Sequence, residues 1–313
     1  MPDWKILVTD GLEENGLAIL RVSAQVEDRV GISPDELSSA IGDFDALIVR
    51  SRTKVTAGVF AAGTKLKVVG RAGVGVDNID LAAANQYGVR VVNTPRATTQ
   101  AVAEHCLALI LALARAIPAA DAAMKSGLWL KNDLMGSEVN GKTLGVVGMG
   151  NIGSTVAHLA NALGMNVLGY DPLIPAEEIR KRGASPASIQ DLYSRADFIT
   201  LHVPLSAETR GMINGQSLAA MKRGVRLICA ARGGIVDETA LLGALESGQV
   251  AGAALDVFAK EPPGISALVA HPRVIATPHI GAQTMEAQAR AARDIAEEVL
   301  AALNGKVLRW KVV

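Results

Sequence analysis

The sequence predicts an α/β protein with two lobes, one of which carries a doubly wound parallel sheet. The chain has 313 residues, which exceeds the roughly 100 to 200 residues of a typical domain and suits two domains. Short β-branched runs alternate with helical segments along most of its length, the pattern of strands joined by crossovers in a parallel sheet. A glycine-rich turn, "GVVGMGNIG" at 145–153, lies in the middle of the chain rather than after the first strand. A whole lobe is therefore expected to precede it.

The first segments predict a parallel α/β unit. Its strand-like runs, in chain order, are "WKILVTD", "DALIVRS", "KVVGRAG" and "VRVVNTP". Residues 98–117 then predict a long apolar helix, which Thr98 and Thr99 open and which breaks near Pro118. Such a helix suits a passage between two lobes, so we place a domain boundary after residue 97.

From residue 142 the alternation resumes and predicts the second lobe. Its strand-like runs are "TLGVVG", "NVLGYD", "DFITLHVP", "VRLICAAR", "AGAALDVF" and "VIATPH", with a helix over 151–163. A long amphipathic helix then ends at Gly305, and the β-like tail "KVLRWKVV" that follows can rejoin the first sheet. We therefore predict one domain from residues 1–97 and 284–313 and a second, inserted domain from residues 98–283.

Composition excludes several classes of protein. The 31 basic residues balance 31 acidic ones, so no global field draws the chain to nucleic acid or to an anionic membrane. Cys106 and Cys229 lie far apart and form no CxxC motif, so neither a disulfide framework nor a metal site is expected, and a reducing, cytoplasmic location fits best. The N-terminus lacks the features of a secretory signal, and the most apolar run, residues 106–114, is far shorter than the roughly 20 residues that cross a bilayer.

The glycine-rich turn predicts a dinucleotide site. A strand leads into it and a helix follows, with the three glycines of the motif at Gly148, Gly150 and Gly153. In this motif the first glycine permits the turn, the second lets the backbone approach a pyrophosphate, and the third lets helix and strand pack closely. Asn151 and Ile152 follow at the helix start and are expected to donate backbone amides to the pyrophosphate.

A carboxylate favours NAD as the dinucleotide. Asp171 ends the run "NVLGYD", eighteen positions beyond Gly153, near the spacing at which an acidic side chain binds the adenosine ribose hydroxyls. A carboxylate there repels the 2′-phosphate of NADP. Arg180 and Arg182 lie nearby in the sequence and can soften this preference.

An enzyme that moves a hydride from an alcohol to NAD also needs a base for the proton and a cation for the substrate. His202 and His279 each end a predicted strand, and periodicity does not separate them, although the glycine after His279 favours it mildly. His105 and His158 fall within predicted helices and are expected to be structural. Arg232 also ends a strand, and its guanidinium can bind a carboxylate through two parallel hydrogen bonds.

Several long motifs resemble one known family. "ARGGIVDE", "AALDVFAKEPP" and "TPHIGAQT", together with "GRAGVGVDNID" and "GMGNIG", are similar to the D-2-hydroxyacid dehydrogenases, most of all to their phosphoglycerate-oxidising branch, over about residues 4–304. The resemblance implies a flavodoxin-like substrate-binding domain around an inserted Rossmann NAD-binding domain, in a short form without a C-terminal regulatory domain. It also implies that Arg232 binds the substrate carboxylate, that Glu261 orients the catalytic histidine, and that His279 transfers the proton.

The resemblance carries further residues onto the site. Asp256 is implied to lie near the nicotinamide carboxamide. Other cofactor contacts are implied, beside Arg232 and His279, for residues that follow strands: Val203, Pro204, Ala230, Ala231 and Gly281. Substrate contacts are implied for a cationic and glycine-rich set: Arg50, Ser51, Arg71, Gly73, Val74, Thr98 and Lys131.

The expected reaction is the NAD-dependent oxidation of D-3-phosphoglycerate by a homodimer that pairs through its NAD-binding domains. The segment "NTPRATTQA" at 93–101 departs from the pattern of that branch, because Thr98 stands where those enzymes carry an asparagine. A related reductase of glyoxylate or hydroxypyruvate is therefore an alternative. A corepressor that uses NAD as a switch is disfavoured by the intact arginine, glutamate and histidine set, and a formate dehydrogenase is disfavoured by Glu261.

Overall fold

The computed structural model describes residues 4–313, which form two compact units. One contains the residues up to Thr99 together with Gln283–Val313, and the other contains Gln100–Ala282. The chain thus leaves the first unit and returns to it, whereas the sequence suggested the passages after residues 97 and 283. Both units are built from strands that alternate with helices, and the predicted α/β class is confirmed.

The first unit contains a five-stranded parallel sheet in the order β2-β1-β3-β4-β5. Its strands are β1 (Trp4–Val8), β2 (Ala24–Asp28), β3 (Ala46–Val49), β4 (Val68–Arg71) and β5 (Arg90–Asn93). The middle strands are buried on both faces, which explains their continuous apolar runs. The edge strand β2 alternates polar and apolar residues and is mostly exposed, so the sequence analysis missed it.

Helices cover both faces of this sheet. They are α1 (Glu14–Arg21), α2 (Pro34–Ala40), a 3₁₀ turn (Ile41–Asp43), α3 (Ala57–Ala62), α4 (Leu81–Gln86) and, from the end of the chain, α12 (Met285–Leu303). Helix α12 packs on α1 so closely that a Cβ atom at Gly16 would lie 2.6 Å from the carbonyl oxygen of Ala292. The tail then runs antiparallel beside β5, where Val312 donates its amide to the Val91 carbonyl. This contact returns the end of the chain to the first sheet.

The second unit contains a seven-stranded parallel sheet in the order β12-β11-β10-β9-β6-β7-β8. Its strands are β6 (Thr143–Val147), β7 (Asn166–Tyr170), β8 (Ser185–Pro186), β9 (Phe198–Leu201), β10 (Val225–Cys229), β11 (Val250–Leu255) and β12 (Val274–Ala276). The strand order reverses between β6 and β9. In open sheets of this kind, ligands bind beyond the carboxyl ends of the strands at that reversal.

The helices of the second unit begin with the apolar one that the sequence predicted. They are α5 (Thr99–Arg115), α6 (Ile117–Lys125), α7 (Asn151–Ala162), α8 (Ala176–Lys181), α9 (Ile189–Arg195), α10 (Gly215–Ala220) and α11 (Glu238–Glu246). Helix α5 ends at Arg115, and the next residue, Ala116, has a left-handed φ of +50°. The break in the helix therefore comes two residues before Pro118, near which the sequence predicted it. Pro118 itself lies in the first turn of α6, where proline is well tolerated.

Eight of the seventeen residues of helix α5 are buried. Within residues 4–313 no single helix is both long and apolar enough to cross a membrane; only α5 and α6 taken together meet that criterion, and they are bent by 64°. The same residues contain no cluster of histidine, cysteine or acidic side chains that could hold a metal ion. Cys106 and Cys229 are both buried free thiols.

Candidate active site

The glycine-rich turn between β6 and α7 has the geometry of an anion site. Gly148 has a φ of +92°, which the glycine permits without strain. A Cβ atom at Gly153 would lie 2.0 Å from the carbonyl oxygen of Gly148, so helix and turn approach as closely as backbones can. Gly150 precedes α7 without any side-chain cap, and a Cβ atom there would meet nothing within 4 Å. Open space before uncapped helix amides fits the pyrophosphate of a dinucleotide.

Asp171 follows β7 and is tied to this turn. One carboxylate oxygen accepts the amide of Met149 at 2.9 Å, and the other accepts the amide of Leu173 at 2.9 Å. Arg182 donates to the carbonyl of Met149 and pairs with Glu178. This arginine, which the sequence left as a possible partner for a 2′-phosphate, is therefore engaged within the protein.

His279 and Glu261 form a hydrogen-bonded pair. Nδ1 of His279 lies 2.9 Å from Oε2 of Glu261, while Oε1 of the same carboxylate accepts the amide of Phe258 at 3.1 Å. A carboxylate only accepts hydrogen bonds, so Nδ1 carries the proton and Nε2 is left as the basic nitrogen. The two side chains are about half exposed, at 45% and 38%. A substrate can thus reach the imidazole while the glutamate holds its orientation.

Asp256 holds the backbone that carries His279. Its Oδ1 accepts the hydroxyl of Thr277 at 2.6 Å and the amide of Ile280 at 2.8 Å, and its Oδ2 accepts the amide of Gly281 at 2.8 Å. The histidine itself adopts a left-handed φ of +54°, which is uncommon for a residue other than glycine and is held in place by its surroundings. The carboxylate of Asp256 supplies that constraint from both sides of the histidine.

The charge of Asp256 is stabilised although its side chain is only 1% exposed. Burial works to raise the pKa of this carboxyl, but hydrogen bonds from His105, from Thr277 and from the two loop amides outweigh it and hold the pKa below its usual value. Nε2 of His105, on helix α5, lies 3.3 Å from the Thr277 hydroxyl and 3.5 Å from the carboxylate. The sequence placed His105 only as a structural residue of an apolar helix, and nothing local in the sequence signals this contact.

Arg232 follows β10, next to β11 in the sheet. It donates through Nη1 to the carbonyl of Ala231 at 2.7 Å. A Cβ atom at Gly233 would lie 1.8 Å from the carbonyl oxygen of Phe258, so only glycine lets the loop after β10 pack on the loop after β11. Glu238 adds a second tie by accepting the amide of Ala259. The loop of Arg232 is therefore fixed against the loop that carries Glu261.

His202 differs from His279 in its surroundings. Its Nε2 lies 3.0 Å from the hydroxyl of Thr200, and desolvation lowers the pKa of His202 to about 4. The imidazole is therefore neutral near pH 7. This favours His279 as the base, a choice that strand periodicity left open.

The remaining cofactor candidates lie at the carboxyl edge of the second sheet. Val203 and Pro204 follow β9, whereas Ala230 and Ala231 follow β10. Val203 belongs to the wall of the glycine-rich turn, because a Cβ atom at Gly148 would lie 3.0 Å from its side chain.

The substrate candidates of the first unit lie at the carboxyl ends of β3, β4 and β5. Arg50 and Ser51 follow β3, and Arg71 ends β4. A Cβ atom at Gly73 would lie 1.4 Å from Nη1 of Arg71, so this guanidinium occupies space that only glycine leaves. The backbone carbonyl of Val74 accepts a hydrogen bond from Nδ2 of Asn93 at 2.7 Å. Thr98 is buried, whereas Lys131 is an exposed residue of the second unit.

Comparison with known proteins identifies the family. Residues 107–281 match the family described as "D-isomer specific 2-hydroxyacid dehydrogenase, NAD binding domain". The chain is 49% identical over 308 residues to the D-3-phosphoglycerate dehydrogenase of Synechocystis sp., which covers 98% of this chain and 56% of that protein. It thus spans about half the length of the curated relatives it matches.

Solved structures are similar to this chain over nearly its whole length. The TT0316 protein of Thermus thermophilus superposes with a TM-score of 0.90 at 37% identity, covering 99% of this chain and all of that one. A glyoxylate reductase from Paecilomyes thermophila superposes with a TM-score of 0.91 at 30% identity, covering 100% of this chain and 99% of that one. The chain therefore belongs to the D-isomer specific 2-hydroxyacid dehydrogenase family and carries its NAD-binding domain.

Proposed function

We propose that this protein is an NAD-dependent oxidoreductase that oxidises D-3-phosphoglycerate to 3-phosphohydroxypyruvate, the entry reaction of the phosphorylated route to serine. The observation that carries the proposal is the pairing of His279 with Glu261 at 2.9 Å, in a unit that has the NAD-binding turn of the family. The identity of 49% to a D-3-phosphoglycerate dehydrogenase supports this choice of substrate. We also propose a reducing compartment, the cytoplasm, because both cysteines are free.

The residues that hold NAD follow from the geometry of the turn. The first amides of α7 would bind the pyrophosphate, and Asp171 would bind the ribose hydroxyls. Bound NAD would supply the hydride acceptor for the carbon that carries the substrate hydroxyl. The protein must then remove the hydroxyl proton and hold the substrate in one orientation.

The acid–base work falls to His279. Its Nε2 accepts the hydroxyl proton, because Nδ1–H is already committed to Glu261. The resulting imidazolium is stabilised by the adjacent carboxylate, which also keeps the ring from rotating. Arg232 binds the substrate carboxylate through its planar guanidinium. In the reverse direction the same imidazolium returns the proton to the carbonyl oxygen.

Arg50 is proposed to bind an anionic group of the substrate. Its Nε is buried and has no hydrogen-bond partner within residues 4–313, and its Nη2 lies 3.4 Å from Glu13. A buried N–H without an acceptor is costly in a folded protein. The Arg50 side chain as a whole is 23% exposed, so a carboxylate or phosphate oxygen that binds the guanidinium can supply the missing acceptor.

We further propose that two copies pair through the second unit. Large apolar side chains are exposed along one continuous segment after α5, and they are Ile117, Met124, Leu128, Trp129 and Met135. Such a concentration on a monomer surface is typical of a protein interface. Sedimentation equilibrium should give the mass of a dimer, and substitution of Trp129 by Glu should shift it toward the monomer.

The test of the proposed activity is a substrate panel. The kcat/KM with NAD and with NADP is measured for D-3-phosphoglycerate, glycerate, glycolate and D-lactate, and for the corresponding keto acids in reverse. A preference for D-3-phosphoglycerate with NAD is expected. A preference for glyoxylate or hydroxypyruvate would replace the proposed substrate while keeping the chemistry, and absence of turnover with every acid would reject the activity. His271→Asn, which changes a histidine of the same unit outside the site, is the control for His279→Asn.

A further inference from the structure

We infer that Asp10 and Asn78 are positioning residues that fix the loop of residues 50–53 for substrate binding, an inference that rests on the proposed function. This loop, called here the Arg50 loop, connects β3 to the turn before α3. Asp10 follows β1, the neighbouring strand in the sheet. Asn78 lies within the motif "GRAGVGVDNID", but neither Asp10 nor Asn78 is among the residues expected from the sequence to contact the substrate.

Asp10 holds the Arg50 loop from its amide side. The side chain of Asp10 is only 4% exposed. Its Oδ2 accepts the amides of Arg50 at 2.8 Å and Thr53 at 3.1 Å, and its Oδ1 accepts the hydroxyl of Thr53 at 2.6 Å. One buried carboxylate thus binds both the first and the last residue of the loop. Hydrogen bonds to an ionised acceptor are about twice as strong as neutral ones.

Asn78 holds the same loop from its carbonyl side. Its Nδ2 donates to the carbonyl oxygens of Arg50 at 2.9 Å and Thr53 at 2.6 Å. The main-chain polar groups at both ends of the loop are therefore satisfied by two side chains rather than by a helix or strand. A loop without regular structure has no other source of order for these groups.

Asp10 and Asn78, together called here the clamp, hold the two arginines of the loop in different ways. Arg52 pairs with the Asp10 carboxylate at 3.0 Å and donates to the carbonyl oxygen of Thr9 at 2.7 Å, so its guanidinium is part of the clamp. Arg50 contributes its amide and carbonyl to the clamp, while its side chain keeps the buried Nε that has no acceptor within residues 4–313. Asp10 and Asn78 therefore determine where the Arg50 guanidinium is presented to an anionic substrate.

The first measurement follows the Arg50 loop itself and needs no substrate. Hydrogen–deuterium exchange of the peptide that covers residues 50–55 is compared in the wild type, Asp10→Ala and Asp10→Asn. Exchange should be fastest in Asp10→Ala, which loses every acceptor. Asp10→Asn should lie between, because its amide oxygen can still accept the Arg50 and Thr53 amides. Unchanged exchange in both variants would overturn the clamp.

The second measurement links the clamp to the substrate. In Asp10→Ala and Asn78→Ala the KM for D-3-phosphoglycerate should rise by roughly tenfold or more, the loss expected when a charge-assisted contact is misplaced. The KM for NAD should change less than about twofold, because the clamp acts on the substrate anchor alone. Asn78→Asp should raise this KM at least as much as Asn78→Ala does, because its carboxylate cannot donate to the two carbonyl oxygens and repels them.

Asp45→Ala is the matched control. Asp45 lies at the opposite, amino end of the same sheet, where it accepts the amide of Lys5 at 3.1 Å and pairs with Lys67. It should leave the KM for D-3-phosphoglycerate unchanged. If Asp10→Ala does not fold, Asp10→Asn and Asn78→Ala carry both measurements. Faster exchange with an unchanged substrate KM would overturn the positioning role, whereas absence of wild-type turnover with every acid of the panel would reject the proposed function instead.

Discussion

Replacing Asp256 with Asn should lower both the stability of the second unit and the rate of catalysis. The carboxylate accepts short hydrogen bonds from the hydroxyl of Thr277 and from the amides of Ile280 and Gly281. Nε2 of His105 adds a longer contact at 3.5 Å. An asparagine offers one oxygen and one NH₂ group. In its better orientation the oxygen serves Thr277 and Ile280, and the NH₂ group faces the amide of Gly281, so that two donors meet. One buried donor left without an acceptor costs about 2 kcal/mol.

The loss of stability caused by Asp256→Asn should be larger at neutral pH than at acidic pH. Hydrogen bonds to Asp256 hold its pKa below its ordinary value of 3.8, so the folded protein binds this proton less readily than the unfolded chain. The stabilisation by the carboxylate is therefore fully present above the unfolded pKa and is lost as pH falls through the folded one. The difference of about 2 kcal/mol at neutral pH should begin to shrink below about pH 4, because the unfolded wild-type chain takes up the proton there before the folded protein does.

Urea unfolding at several pH values measures the stability, and steady-state kinetics measures the rate. The kcat should fall by roughly 10²-fold, the scale expected when a catalytic group shifts by about 1 Å. Asp237→Asn is the control, because Asp237 caps helix α11 with Oδ1 alone and asparagine caps equally well. Equal stabilities of wild type and Asp256→Asn at neutral pH, or a stability difference between them that does not decrease as the pH falls below about 4, would refute the reasoning.

Three further substitutions test the rest of the site. His279→Asn should lower kcat by roughly 10² to 10⁴ with an unchanged melting temperature, and a loss under threefold would remove His279 from the mechanism. Gly153→Ala places a Cβ atom 2.0 Å from the Gly148 carbonyl oxygen. Fluorescence titration should therefore show that NAD binding is lost, and calorimetry should show a destabilisation of about 1 to 3 kcal/mol. An unchanged affinity for NAD would contradict the close packing of this turn. Asp171→Ala should raise the KM for NAD by roughly tenfold and narrow the preference over NADP, and an unchanged preference would exclude the ribose contact.

The fold class was predictable because its signals are local. Buried parallel strands give continuous apolar runs, and these runs mark most strands of both sheets. The edge strands β2 and β8 escaped prediction, since β2 alternates exposed polar residues such as Gln25 and Glu27, and β8 has only two residues. A short or half-exposed strand is defined by its neighbour in the sheet, which no local pattern contains.

The candidate site was predictable only in part. Residues within long motifs, such as Arg232 and His279, could be named from their position after a strand. Asp10 could not, because its partner Arg50 lies 40 residues away and an aspartate after a strand has no distinctive spacing. His105 lies 172 residues from Thr277 and sits in an apolar helix, where its sequence context is that of a core residue.

The loops after β10, β11 and β12 contact one another, and these contacts explain why the sequence motifs in these loops are long. The three strands are adjacent in the sheet, so their loops start side by side. Gly233 lets the first loop contact the second, Glu261 and Asp256 tie the second to the third, and His279 stands on the third. Each loop therefore needs specific residues for its own chemistry and for its neighbour. Because His279, the proposed proton acceptor, is held by two residues that follow the neighbouring strand β11, its orientation depends on the packing of the sheet rather than on the flexibility of a single loop.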